Sequence, residues 1–165
     1  MTDYIDLLND EQFHDFVYGE ATDKKVKVLN KFLRDNKEKT IRLYHGTSSE
    51  LLIMMEGLKP TSSKTAKSLQ SGHGYVYLSI YPDMANTFGE MAYPRKVITV
   101  YAVDIPVKHL KADADQLKNQ RYWGNKPDLG KTLGHSIIYG HSARVKGWIQ
   151  PYMISEYKLK EELTT

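Results

Sequence analysis

The chain of 165 residues contains no cysteine. A disulfide scaffold, a thiolate zinc site and a cysteine nucleophile are therefore excluded. Long apolar runs are also missing: none approaches the roughly 20 residues that a membrane-spanning helix needs, and no membrane partner is expected. The opening stretch "MTDYIDLLNDEQF" is acidic and has no basic region ahead of an apolar one, unlike a secretory leader, so a cytoplasmic protein is expected. Familiar catalytic motifs are absent: there is no H-E-x-x-H, no G-x-x-x-x-G-K-[ST] and no G-x-S-x-G. The histidines at positions 14, 45, 73, 109, 135 and 141 lack paired ligand spacing, so no metal is expected. Internal repeats and low-complexity segments are lacking too.

What is present describes an ordinary globular domain. Length fits one domain with a real core, and 41% hydrophobic against 26% charged residues is not a disordered composition. A net charge of +3 tilts mildly toward an anionic partner, too little to establish nucleic-acid binding. Twelve tyrosines suit strands and cleft walls, since each offers a flat apolar face and a polar tip.

The patterning divides the chain into an N-terminal helical segment, 1–40, packed on an α+β body, 41–165, with many short strands. Residues 3–36 read as helical, with Phe13, Phe16 and Val17 on one face and Val26, Leu29, Phe32 and Leu33 near helical spacing later. "TIRLYH" reads as a strand. Thr47 and Glu50 form a T-x-x-E capping box, which predicts a helix starting near Ser48. Gly57 can supply its C-cap, with Pro60 beyond. "TSSKTAKSLQSGHG" reads as a loop, "YVYLS" as a strand and "PDMANTFGEMA" as a short helix opened by Pro82. "KVITVYAVDI" reads as a central strand. Residues 105–134 look irregular, which in a compact domain is often functional. "HSIIYG", "ARVKGWI" and "YMISEYKL" read as strands.

The candidate site begins where a strand ends in His45, Gly46 and Thr47. Gly46 has no side chain, so its backbone can approach a planar amide such as nicotinamide. His45 can donate a hydrogen bond to a ribose hydroxyl. Tyr77 and Phe88 offer aromatic faces, and Ser79 a hydroxyl. Of Tyr75 and Tyr77, one is expected to face the core and the other the cleft. Each has a plain alternative: a satisfied core histidine, packing tyrosines, a core aromatic on a short helix.

Taken together, "YHGT", "MMEGLKP", "GYVYLSIYPDMANTF", "VITVYAVDIPVKHLKAD" and "ARVKGWIQPYMI" resemble, in order and spacing over roughly residues 41–158, the ADP-ribosyltransferase superfamily. The likeness is to the branch with a His, Tyr and acid signature, nearest in layout to small rifamycin-modifying and poly(ADP-ribose) polymerase-like transferases. That resemblance implies a split β-sheet fold that binds NAD as a substrate. It implies His45 at the adenosine ribose, Gly46 at the nicotinamide amide, Tyr77 and Phe88 at the nicotinamide ring, and Thr47 and Ser79 in the same NAD site. The third catalytic group differs from the polymerase pattern, because no glutamate lies between Glu90 and Glu156. The rifamycin-modifying layout points instead to Asp113, with Asp115 close by and Gln150 and Glu156 in reserve.

The expected function is then mono-ADP-ribosyl transfer from NAD to a macromolecular acceptor, nucleic acid (RNA or DNA) ahead of protein. By analogy the context is a toxin or phage–host conflict protein, with an antitoxin or inhibitor protein as a further partner. The cluster Arg121, Tyr122 and Trp123 can grip an acceptor by charge and stacking, or pin its own loop to the body. Two other readings stand beside this one: an RNA 2'-phosphotransferase, for which Arg121 and Arg144 are the obvious phosphate ligands, and a catalytically inactive nucleotide-binding module.

Overall fold

The computed structural model describes residues 10–60, 74–117 and 130–159. Its frame is one antiparallel sheet of six strands in the order β4-β5-β2-β1-β3-β6. The strands are β1 (Thr40–Ser48), β2 (Tyr75–Ser79), β3 (Ile98–Pro106), β4 (Leu110–Lys111), β5 (Ser142–Lys146) and β6 (Ile154–Tyr157). The helices are α1 (Asp10–Val17), α2 (Asp23–Asp35), α3 (Ile53–Glu56), α4 (Pro82–Ala92), α5 (Ala114–Leu117) and α6 (Leu133–Gly140). The fold class is α+β. Among the described residues no helix is long and apolar enough to cross a membrane.

Period-2 alternation decides what each face carries. Ile41, Leu43, Val76, Leu78, Val103, Ile105, Ala143 and Val145 point to one face, where they bury with Phe13 and Val17 of α1, Val26, Leu29 and Leu33 of α2, and Ile137 and Ile138 of α6. The N-terminal helices thus share the main core with the strands. On the opposite face α4 lies on β1 and β3 around Tyr44, Ala85, Val100 and Ala102. A Cβ on Gly46 would coincide with the carbonyl of Ala85, with the Ala85 carbonyl carbon at 2.7 Å, and one on Gly89 would stand 2.9 Å from the Gly46 carbonyl carbon. The two glycines let helix and strand touch backbone to backbone.

Two local signals lose to this sheet. Thr47 and Ser48 do not open a helix. They pair with Thr99 and Ile98 of β3, and the short helix α3 that follows has Leu52 as its N-cap, without a side-chain cap bond. Ladder hydrogen bonds to a central partner outweigh one capping box. Gly57 does end α3 at positive φ, 80°, its N–H reaching Ile53 O. Conversely, "HSIIYG" is helical, not a strand, despite its β-branched pair. The Thr132 hydroxyl accepts from His135 N, Asn30 Oδ1 accepts from Gly134 N, and Ile137 and Ile138 fill the main core. Tertiary packing overrides β-propensity there. His141 closes the helix in the left-handed region, φ 52°.

Beyond this, β1 pairs with β3 along its whole length but shares one register position with β2, Tyr44 opposite Ser79. That is where the sheet opens.

Candidate active site

The opening between β1 and β2 is bridged by a side chain. His45 Nδ1 lies 2.6 Å from the carbonyl oxygen of Tyr77. A carbonyl only accepts, so Nδ1 carries the proton and, in the neutral ring, Nε2 presents a lone pair. Burial pushes the imidazole pKa below its usual value, and the bond to Tyr77 O opposes this only in part. His45 is therefore neutral near pH 7, and its donor is already engaged. The expectation that it donates to a ribose hydroxyl is thereby reversed: from such a hydroxyl it would accept.

Tyr77 carries the rest of the site. Tyr75 and Tyr77 stand on the same face of β2, with ring centroids 6.4 Å apart, while Val76 and Leu78 fill the core. The split of one inward and one toward the cleft is corrected by the strand's period of two. Directly across on β5, Arg144 opposes Tyr77. The Tyr77 hydroxyl donates to Asp115 Oδ2 at 2.7 Å, and Arg144 Nη1 donates to the same oxygen at 3.0 Å. The Arg144 guanidinium also lies over the Tyr75 ring, 3.9 Å from its centroid, a cation–π contact. Burial first, and then the bond to Asp115, pushes the Tyr77 phenol up to about 12, so it stays protonated and donating. Arg144 Nε is buried without a hydrogen-bond partner among the described residues.

The two aspartates differ in kind. Asp113, the expected catalytic acid, is 3% exposed. Its N–H donates to Ser136 Oγ at 2.9 Å, and its carboxylate accepts from Ser142 Oγ at 3.3 Å, while Ser136 Oγ donates to Ser142 O at 2.6 Å. These bonds tie the entry to α5 to α6 and β5. Its charge still contributes to the raised Tyr77 pKa, but the carboxylate that touches the tyrosine is Asp115, in the first turn of α5.

The other expected positions are distributed as follows. Gly46 is pressed against Ala85 of α4, so its missing side chain is accounted for by packing. Thr47 and Ser79 are each 3% exposed and closed from solvent as they stand. Phe88 is half-buried on α4. Gln150 is exposed at the start of a short 3-10 turn. Glu156, also exposed, opposes Tyr101, which opposes His45. It stands two strands away, about 10 Å, outside the Tyr77 cluster. Arg121, Tyr122 and Trp123 lie outside the described residues. Among the described residues no three His, Asp or Glu side chains form a group that could hold a metal ion.

Nothing in the local sequence gathers Arg144, Asp115 and Tyr75 into one cluster. The antiparallel register between β2 and β5 sets Arg144 opposite Tyr77, and the entry of the chain into α5 brings Asp115 to both; alternation along one strand supplies neither. In comparisons with protein-family models, curated proteins and solved structures, nothing matches this chain.

Proposed function

We propose that the chain is a mono-ADP-ribosyltransferase that uses NAD as substrate and a macromolecule as acceptor. One observation carries the reading: at the opening of the sheet a neutral histidine is fixed by the carbonyl of the same tyrosine whose hydroxyl meets a carboxylate and a guanidinium. This juxtaposition suits a ribosyl transfer. Breaking the bond between nicotinamide and ribose leaves positive charge on the ribose, which a nearby carboxylate stabilises. The role of the acid passes from Asp113 to Asp115, the carboxylate that reaches Tyr77. His45 Nε2 accepts from a ribose hydroxyl and orients the sugar. The acceptor's lone pair then forms the bond to the ribose carbon as nicotinamide leaves with the electrons of the broken bond, and the acceptor's proton is released. The absence of a polymerase-type glutamate from 91–155 supports one ADP-ribose per acceptor.

The test is incubation with labelled NAD and cell extract, with nuclease- and protease-treated controls. Label on a macromolecule, lost in His45→Ala and Asp115→Asn, is the expected result. NAD binding without transfer would sink the transferase reading and leave a binding module. NAD-independent release of a 2'-phosphate from RNA would replace it with a phosphotransferase.

A further inference from the structure

Among the described residues the most deeply buried polar side chain is Ser136, 1% exposed, on a helix whose neighbouring Ile137 and Ile138 fill the main core. A hydroxyl taken out of water costs stability unless its hydrogen bonds are replaced, and serine is a weaker helix former than alanine. Ser136 uses its hydroxyl both ways. Oγ accepts from Asp113 N at 2.9 Å and donates to Ser142 O at 2.6 Å. Ser142 Oγ in turn donates to Asp113 Oδ2 at 3.3 Å. The three residues close a ring that joins the entry to α5, the body of α6 and the start of β5.

What the ring holds lies two residues further along each branch. Asp113 O accepts from Leu117 N at 3.1 Å, so Asp113 opens the single turn of α5, and Asp115 stands in that turn. Ser142 opposes Ser79 in the register of β2 with β5, and Arg144 opposes Tyr77. Asp115 and Arg144, one from each branch, then meet at 3.0 Å, on the same carboxylate oxygen that accepts from the Tyr77 hydroxyl at 2.7 Å. The ladder fixes Arg144 against Tyr77, but Asp115 is outside it. β4 follows β5 only as far as Lys111; beyond it, Asp113 N is held by the Ser136 hydroxyl. Ser136 itself bonds to none of Tyr77, Asp115 and Arg144. We propose that Ser136 is a positioning residue: its hydroxyl sets where α5 stands against β5, and thereby where the Asp115 carboxylate meets Arg144 and the Tyr77 phenol. That this placement governs turnover rests on the transferase reading; the placement does not.

The test pairs Ser136→Ala with Ile137→Val, which trims the next residue of the same helix on its core side and leaves the ring intact. The first readout needs no NAD. The Tyr77 hydroxyl proton, held against a carboxylate, gives a downfield proton resonance, identified by its loss in Tyr77→Phe. It should move or vanish in Ser136→Ala and stay in Ile137→Val. The second readout is label transfer from NAD. A misplaced carboxylate lowers turnover more than binding, so kcat should fall by about tenfold or more in Ser136→Ala, while KM for NAD stays within about threefold. Ile137→Val should keep kcat within about twofold of the parent, although it too loses stability. Ser136→Cys keeps the volume and weakens both bonds, and should fall between the parent and alanine; it takes the place of Ser136→Ala should the alanine variant not fold. An unmoved resonance, or a kcat within about twofold of the parent, in the Ser136 variant would overturn the proposal, as would equal losses in Ile137→Val. A parent protein that transfers no label sinks the transferase reading instead, and the resonance then decides the placement by itself.

Discussion

His45 and Tyr77 are joined side chain to backbone across the gap between two strands, Nδ1 to carbonyl oxygen at 2.6 Å. One nitrogen of the ring is held by this bond and the other presents a lone pair, and substitutions can separate the two. Asparagine at 45 keeps a donor near the Nδ1 position and removes Nε2. His45→Asn should therefore hold stability within about 1 kcal/mol of the parent, whereas His45→Ala, which leaves the Tyr77 carbonyl without its partner, should cost about 1–3 kcal/mol. Both should abolish label transfer. Denaturant titration beside the NAD assay checks the pair, and full activity in His45→Asn would remove Nε2 from the mechanism.

Asp115 and Asp113 should separate in the same way. Asp115→Asn removes the carboxylate that meets Tyr77 and Arg144, and transfer should fall about a hundredfold or more. Asp113→Asn keeps a group able to bond Ser142 and should lower stability more than it lowers turnover per folded molecule. Single-turnover rates measured on protein of verified folded fraction decide between them. A larger rate loss in Asp113→Asn would return the acid to that position.

Gly46 gives a third expectation, about packing. Gly46→Ala places a methyl on the Ala85 carbonyl, a backbone that cannot move without lifting α4 from β1. Overpacking of this kind costs about 3 kcal/mol. Its midpoint in urea should drop accordingly, while Gly74→Ala, with nothing within 4 Å of the added carbon, should suffer only the strain of its positive φ.

The pH dependence follows from three histidines. Burial lowers the pKa of His45, of His135 and of His141. A group that protonates less readily folded than unfolded leaves the unfolded chain holding more protons. Stability is then fully present above the unfolded value of about 6.5 and is lost as pH falls toward the folded values. Thermal melts should weaken from pH 7 to pH 5. His141 is a clean probe, because it sits at φ 52° with its ring 5.3 Å from that of Tyr81, and asparagine tolerates that backbone. His141→Asn should flatten the acid-side slope, and an unchanged slope would assign the loss to other groups.

Much of the layout was legible locally. The strands "YVYLS" and "VITVYAVDI" announce themselves by β-branched and aromatic composition, and α2 by its spacing of Val26, Leu29 and Leu33. The failures have a shared cause. The Thr47–Glu50 box is a good helix start until β3 offers a ladder, and Ile137–Ile138 is a good strand until Asn30 and the core hold it as a helix. Each outcome was set by residues far away in sequence.

The same holds at the site. The sequence by itself determined that a strand carries His45, that a second strand presents Tyr75 and Tyr77, and that Asp113 and Asp115 follow the third long strand, because alternation and composition are properties of neighbours along the chain. Only the tertiary structure decided that Arg144 stands opposite Tyr77, that Asp115 and not Asp113 reaches the phenol, and that Gly46 is spent on α4. Those facts depend on strand register and on how the chain enters α5. Contacts among β2, β5 and α6 set them, and no local pattern encodes such contacts.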